Sequence, residues 1–481
     1  MATTLARLLG ADAVAPVAAI SVTGLTADSR EVKPGFVFAA LPGMIADGAK
    51  FIPQAVASGA VAVIAAQGVS AGVPVIITQN PRRLFSLMAA RFFNAQPDLV
   101  VAVTGTNGKT SVAAFVREIW TAMGFRAASL GTVGVVSPSG TTALEHTTPD
   151  PVKLHEIAAG LAADHVQHLA IEASSHGLAQ YRLDGLRLSA GAFTNLTHDH
   201  LDYHASFAEY FDAKMRLFEE LLPRGAPAVI NADSPRADEV GKRARGLEIF
   251  TVGRKGAALK LISAECEGFG QRLVVKGPTK THSVTLPLVG DFQVSNALVA
   301  AGLVIATGGE ETLVFHALES LKGAKGRLDL VARAKSGAPV FVDYSHTPDA
   351  LENAIVALRP YVRNKLHVVF GCGGDRDRAK RPLMGAIAAK LGDRVYVTDD
   401  NPRSEDAGVI RAEIMAACPG AAEIGNRAEA IRVAVEALAE GDVLLVAGKG
   451  HEEGQKIGKV VIPFSDHDAV KAAIAGVDYH G

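Results

Sequence analysis

Cysteine is scarce: Cys266, Cys372 and Cys418 are the only three in 481 residues. They stand too far apart for a disulfide framework or a paired-cysteine metal site, so free thiols in a reducing compartment are expected. Charge of one sign is lacking too. The 48 Lys and Arg against 50 Asp and Glu leave a formal charge of −2, which gives no basic field for nucleic acid or an anionic membrane. No uncharged apolar run approaches the length of a membrane span. The opening Met1-Ala-Thr-Thr-Leu-Ala-Arg7 has no basic segment followed by an apolar stretch. Repeats and low-complexity tracts are absent as well. A soluble, cytoplasmic protein is the expectation these absences give, and a monomer is expected beside it. What is abundant is apolar residues (48%) and glycine (48 residues), the balance of an α/β protein with many tight turns. Length alone suggests about three domains.

The stretch that organises the chain is Val101-Ala-Val-Thr-Gly-Thr-Asn-Gly-Lys-Thr-Ser111. Leu99–Val103 before it is apolar and β-branched, as in a buried parallel strand. After it, Val112, Phe115, Val116, Ile119, Trp120 and Met123 recur at helical spacing. Gly105, Thr106, Asn107, Gly108, Lys109, Thr110 and Ser111 therefore form a glycine turn from strand to helix. There, backbone N–H groups and the helix dipole converge on an anion. Lys109 would reach the β/γ-phosphates of ATP, and the Thr110 hydroxyl would hold Mg²⁺. The spacing is shorter than in the standard phosphate loop: two residues, not four, separate the first glycine from Gly-Lys-Thr.

Residues 1 to 85 read as a first α/β unit, with strands at Phe36–Ala40, Val61–Ile64 and Val73–Thr78 and a helix near Ile52–Ser58. Residues 86 to 325 hold the phosphate loop and further βα units. His168–Glu172 reads as a strand ending on a carboxylate. Ala190–Thr194 reads as another, leading into Asn195-Leu-Thr-His-Asp-His-Leu-Asp-Tyr-His204. Ligands of open parallel sheets gather at the carboxyl ends of strands. Glu172 and the histidine–aspartate run (His198, Asp199, His200, Asp202) are accordingly placed beside Thr110, for metal or phosphate work. Ser206–Leu222 reads as an amphipathic helix, and its Lys214, on local grounds, as a solvated lysine pairing with nearby acids. Residues 326 to 481 alternate strand and helix again, which predicts a doubly wound sheet. Its strands at Val340–Tyr344, Leu366–Phe370, Arg394–Thr398 and Val443–Ala447 each end in a polar loop. Gly371-x-Gly373-Gly374 lacks the last glycine of a dinucleotide fingerprint, which argues against NAD. Four charged loops in succession suit an acidic or zwitterionic substrate.

Gly105–Thr110, Glu172-Ala-Ser-Ser-His176, Thr197-His-Asp-His-Leu-Asp202, Asn296 and Asp343-Tyr-Ser-His-Thr-Pro348 together resemble the Mur ligases. The resemblance runs from Asp28-Ser-Arg30 to Gly448-Lys-Gly-His-Glu452. It implies three domains: a small N-terminal α/β domain that binds UDP, a central ATPase-like parallel sheet with the phosphate loop, and a C-terminal Rossmann-like domain. It also implies ATP-dependent amide ligation in peptidoglycan precursor synthesis. Asp400-Asn-Pro-Arg403 is similar to members that add meso-2,6-diaminopimelate to UDP-N-acetylmuramoyl-L-alanyl-D-glutamate.

Carried over residue by residue, the resemblance gives Lys109 and Thr110 to the γ-phosphate and Mg²⁺, with Glu172 and His200 as further metal ligands. Asn296, Arg327 and Asp343 would meet the adenosine and phosphates of ATP. Ser29, Thr147, Thr148, Ser174, Gln180 and Arg182 match positions that hold the UDP-sugar peptide. Arg376, Asp400, Asn401, Pro402, Arg403, Gly448 and Glu452 match positions that hold diaminopimelate. Lys214 matches a lysine that these ligases carbamylate to bind a second Mg²⁺, against its local reading. The planar fork of Arg403 suits the extra carboxylate that lysine lacks. Two rivals stand beside this reading. Folylpolyglutamate synthetase, a cousin, has a similar loop but is opposed by Asp28–Arg30 and Asp400–Arg403. A nucleotide switch would leave the substrate-like loops idle.

Overall fold

The computed structural model describes residues 2–10, 19–43, 47–66, 68–197 and 203–479. They belong to two compact units. One comprises Met1–Leu261, Lys276–Lys280 and Asn296–Ala317; the other comprises Ile262–Val275, Thr281–Ser295 and Leu318–Gly481.

Among the described residues the first unit carries three sheets, the shortest a pair of two-residue strands, Thr3–Thr4 and Ser21–Val22. A small one orders Gly24–Thr26, Phe36–Ala39, Ala62–Ala65 and Val75–Ile77 as parallel neighbours. Three of these strands and the helix Ile52–Ala57 lie where apolar periodicity put them. Gly24–Thr26 is too short to leave a pattern. Helix Pro81–Phe93 starts with Asn80 as its cap (Oδ1 accepts from Arg83 N, 3.0 Å) and proline in its first turn, both favourable helix starts. It seats Leu84, Phe85 and Met88 on the small sheet.

In the larger sheet, Leu99–Thr104 lies between His168–Glu172 and Ala190–Phe193, parallel to both. Val100–Val103 are wholly buried, so the unbroken apolar run reflects a strand covered on both faces. Ala127–Gly131 lies beyond His168–Glu172, and Pro227–Asn231 beyond Ala190–Phe193. The strand that precedes the phosphate loop therefore connects to one side of the sheet. The strand ending in Glu172 connects to the other side, to Ala190–Phe193. Diverging connections open a crevice at the carboxyl ends of these strands.

In the second unit the sheet order is Asp329–Arg333, Pro339–Asp343, Val443–Ala447, Leu366–Phe370, Arg394–Val397 and Ala422–Glu423. The first strand is antiparallel to its neighbour and all the others run parallel. Because four parallel strands carry the four polar loops, all of those loops emerge at one end of the sheet. Helices Pro348–Leu358 and Lys380–Leu391 cover one face through Leu351, Ile355 and Met384, while Ile431, Val435 and Val470 cover the other. This is the doubly wound sheet expected from the alternation.

Candidate functional site

The phosphate loop caps helix Lys109–Ala122, with Gly108 at its N-cap in a left-handed conformation (φ +86°). A Cβ on Gly108 would strike Asn296 Oδ1, and one on Gly105 would strike Thr194 Oγ1. Only glycine lets these neighbours approach so closely. Asn296 of helix Asp291–Ala306 thus stands against the loop. Thr194 and Asn195 hold the loop from the adjacent strand end. Thr194 Oγ1 donates to Asn107 O (2.6 Å), and Asn195 Oδ1 accepts from Asn107 N (3.0 Å). Lys109 Nζ donates to Gly105 O and Thr106 O (2.8 and 2.7 Å), which lays its charge across the loop.

Thr110 and Glu172 come together: Thr110 Oγ1 donates to Glu172 Oε2 at 3.0 Å. Glu172 is buried, and it also accepts from Thr132 N (2.7 Å) and Thr132 Oγ1 (3.2 Å). A carboxylate and a hydroxyl held together supply the oxygen ligands that a hard cation takes. His200, together with His198, Asp199 and Asp202, lies outside the described residues.

Lys214 is 1% exposed. Its Nζ donates to Gly105 O (2.8 Å) and stands 4.3 Å from the ring centre of Tyr210, whose hydroxyl meets Thr106 Oγ1 at 3.0 Å. The local expectation of a solvated lysine is therefore corrected. Tyr210 and Lys214, one helical turn apart, present one buried face to the phosphate loop. Lys214 finds its partner over a hundred residues upstream, where helix periodicity cannot see it.

Beside Glu172 lie the positions matched to the UDP-sugar peptide. Thr147 Oγ1 meets Thr132 Oγ1 (3.0 Å), Thr148 Oγ1 donates to Glu172 O (2.8 Å), and Ser174 Oγ lies 3.0 Å from Thr148 Oγ1. Arg182 Nη1 donates to Thr148 O (2.5 Å) and its Nη2 to Gln180 Oε1 (2.8 Å). These five residues form one network. Ser29 lies in the turn after Gly24–Thr26 of the small sheet, where its hydroxyl donates to Gln54 Oε1 (3.0 Å).

In the second unit, Asp343 is buried at a strand end and accepts from Leu328 N (2.7 Å) and the Ser345 hydroxyl. Burial pushes its carboxyl above the usual carboxylate range. The Arg327 guanidinium lies 4.9 Å from the centre of the Tyr344 ring. Burial likewise holds His451 down to about 4. Asp400 and Asn401 are buried; Asn401 Nδ2 donates to Glu452 Oε2 (2.8 Å), and Asp400 Oδ1 accepts from Asn401 N (2.7 Å). A Cβ on Gly448 would come within 2.9 Å of Asp400 Oδ2. Pro402 is buried behind Arg403, whose Nη1 donates to Gly374 O (2.7 Å). Asp400, Asn401, Pro402, Arg403, Gly448 and Glu452 are thus gathered at one end of the sheet. Arg376 is exposed on the Gly371–Arg381 loop, and among the described residues its side chain makes no hydrogen bond.

Three family models cover most of the chain: the Mur ligase family catalytic domain over residues 21–92, the Mur ligase middle domain over 103–304, and the Mur ligase glutamate ligase domain over 326–450. The chain belongs to the Mur ligase family. This Mur ligase is 54% identical over 464 residues to an Agrobacterium fabrum protein, spanning 96% of this chain and 95% of that one. It is 55% identical over 479 residues to a Bradyrhizobium diazoefficiens protein (97% and 98%). Both are named UDP-N-acetylmuramoyl-L-alanyl-D-glutamate--2,6-diaminopimelate ligase. A solved structure described by the same name superposes with a TM-score of 0.74 at 32% identity, over 99% of each chain.

Two residues beside these strand-end loops of the Mur ligase escaped the sequence reading. Lys449 is fully buried among Asn401, Glu452 and Gly454. Gln455 Nε2 donates to Asp400 O at 2.6 Å. Lys449 lies inside Gly448-Lys-Gly-His-Glu452, so its signal was a cation between two assigned positions. Gln455 carries no signal short of the fold.

Proposed function

We propose that this Mur ligase joins meso-2,6-diaminopimelate to UDP-N-acetylmuramoyl-L-alanyl-D-glutamate at the expense of ATP, in the cytoplasm, as a step of cell-wall precursor synthesis that serves growth, shape and division. The observation that carries the reading is identity above one half, across nearly the whole chain, with proteins of that name. The domains are assigned as residues 1–85 for the UDP-sugar, 86–325 for ATP and 326–481 for the amino acid. The protein is assigned as a monomer.

The γ-carboxylate of D-glutamate attacks the terminal phosphorus of ATP, releasing ADP and forming an acyl phosphate. The diaminopimelate amine then attacks the acyl carbon; phosphate departs and the amine loses a proton, leaving an amide. Such transfers depend on positioning and charge neutralisation more than on a covalent protein group. Lys109 swings from its loop carbonyls to the transferring phosphoryl group, and the helix N-terminus supports the phosphates. Asn296, Arg327 and Asp343 are assigned to the remainder of ATP. Ser29, Thr147, Thr148, Ser174, Gln180 and Arg182 are assigned to the UDP-sugar peptide. Mg²⁺ would be held by Thr110, Glu172 and His200, and by Lys214 once carbamylated, and would neutralise phosphate charge. The fit rests on the Thr110–Glu172 oxygen pair. Arg403 and Glu452 receive the second carboxylate and ammonium of diaminopimelate, with Arg376, Asp400, Asn401, Pro402 and Gly448 around them.

The test is phosphate release from ATP, Mg²⁺ and the UDP-dipeptide with meso-diaminopimelate, with L-lysine or with no amine, and mass spectrometry of the product. Tripeptide formation with diaminopimelate, lost in Lys109→Ala, is expected. Turnover with lysine instead overturns the acceptor, and ATP hydrolysis indifferent to every substrate overturns the ligase.

A further inference from the structure

Lys449 is a lysine with no exposed surface, and all three of its ammonium protons have acceptors: Glu452 Oε2 (2.9 Å), Asn401 Oδ1 (3.2 Å) and Gly454 O (2.6 Å). Two of those acceptors are side chains assigned above to diaminopimelate. The pattern fixes both. Asn401 Oδ1 faces two donors, Lys449 Nζ and Lys456 N (2.9 Å), so its Nδ2 must face Glu452 Oε2 (2.8 Å). Glu452 Oε2 is thereby anchored twice. Its Oε1 accepts no hydrogen bond among the described residues, and its side chain keeps 32% of its surface open. A carboxylate with one oxygen anchored and the other open is oriented toward an incoming ammonium.

The third bond of Lys449 ties down the start of a hairpin, Gly454–Ile457 with Val460–Pro463. That hairpin grips the acceptor loop along its length. Gln455 Nε2 donates to Asp400 O (2.6 Å), Arg403 N donates to Lys456 O (3.0 Å), and Gly458 N donates to Arg403 O (2.7 Å). The last two hold Arg403 in a left-handed conformation (φ +53°), which a non-glycine residue adopts only when its surroundings impose it. One buried ammonium therefore stands behind both ends of the acceptor site, Glu452 directly and Arg403 through the hairpin.

We propose that Lys449, with Gln455 beyond it, is a positioning residue that sets selectivity for an acceptor with a second charged amino-acid end. The proposal rests on the ligase reading. A lysine acceptor keeps an ammonium for Glu452 but lacks the second carboxylate, so it gains nothing from the ordering that Lys449 imposes on Arg403 through the hairpin.

The experiment compares Lys449→Met, Lys449→Arg and Gln455→Leu with the unaltered protein in steady-state ligation. In Lys449→Met, KM for meso-diaminopimelate should rise about 10- to 100-fold, the loss expected on removing a hydrogen-bonded charge. KM for ATP and for the UDP-dipeptide should stay within about twofold, because those contacts share no partner with Lys449. The preference for diaminopimelate over L-lysine in kcat/KM should fall about tenfold or more. Lys449→Arg should recover part of it, and Gln455→Leu should lower it by about threefold. An unchanged preference in folded Lys449→Met overturns the proposal. So does tighter diaminopimelate binding, the sign of a cation that merely opposed the substrate ammonium. If Lys449→Met does not fold, an unchanged preference in Gln455→Leu overturns it equally. Failure of the unaltered protein to use diaminopimelate would instead strike the ligase reading, and this inference with it.

Discussion

Arg403 sits at φ +53° between two backbone hydrogen bonds to the hairpin. For a side-chain-bearing residue, left-handed backbone costs about 1–2 kcal/mol. The conformation is natural to glycine, and on the proposed function arginine stands here for its guanidinium. Arg403→Gly tests that trade. Relief of the backbone should offset the loss of the Nη1 bond to Gly374 O, leaving stability within about 1 kcal/mol of the parent. The acceptor should suffer far more: kcat/KM for diaminopimelate should fall by the equivalent of about 2–5 kcal/mol, as for a truncated charge pair. Urea unfolding and acceptor kinetics on the same preparation separate the two. Full diaminopimelate turnover in a folded variant would remove Arg403 from the acceptor site.

Helix Phe207–Arg216 shows how an element places a group. Ser206 Oγ accepts from Glu209 N (3.1 Å), and Glu209 Oε2 accepts from Ala205 N (2.9 Å). This reciprocal cap resembles a capping box. It fixes the first turn, and with it the register that brings Tyr210 and Lys214 to the phosphate loop. Ser206→Ala should lower stability by about 1 kcal/mol with an unchanged urea m-value; no change would mean that packing alone sets the start of the helix. The amphipathic pattern made this helix legible in the sequence. Its end was not: a π-helical stretch, Leu217–Leu221, follows directly, and such shifts in backbone pairing leave no apolar signature. The same division runs through the molecule. Strands such as Leu99–Thr104 and Val443–Ala447, buried on both faces, announce themselves as apolar runs, and polar residues at their carboxyl ends mark the candidate site. Resemblance supplied roles that local patterns could not. The burial of Lys214 and the triple anchoring of Lys449 depend on partners that only the fold brings near.

Across the whole molecule, each compact unit holds a histidine that burial keeps neutral. His155, on helix Pro151–Ala163, has its Nε2 3.2 Å from Asp184 O, and burial drops it to about 4. His451 in the second unit is held down to about 4 by the same cause. Between pH 6.5 and about 4 the unfolded chain takes up a proton at each of these positions and the folded chain does not. The unfolded state then binds more protons, so stability falls as the pH falls through this window. Each histidine contributes about 3 kcal/mol of that loss by pH 4. Asp184 and Asp343 act in the opposite sense. Burial raises both, so the folded state protonates them first and acid relieves part of their cost. The readout is therefore the difference between the parent and His155→Gln, whose amide keeps a donor for Asp184 O without titrating. Calorimetric unfolding at pH 7, 5.5 and 4.5 should show the variant losing less stability than the parent, by an amount that grows toward acid. Parallel losses at all three values would mean that His155 takes up its proton in the folded chain as readily as in the unfolded one.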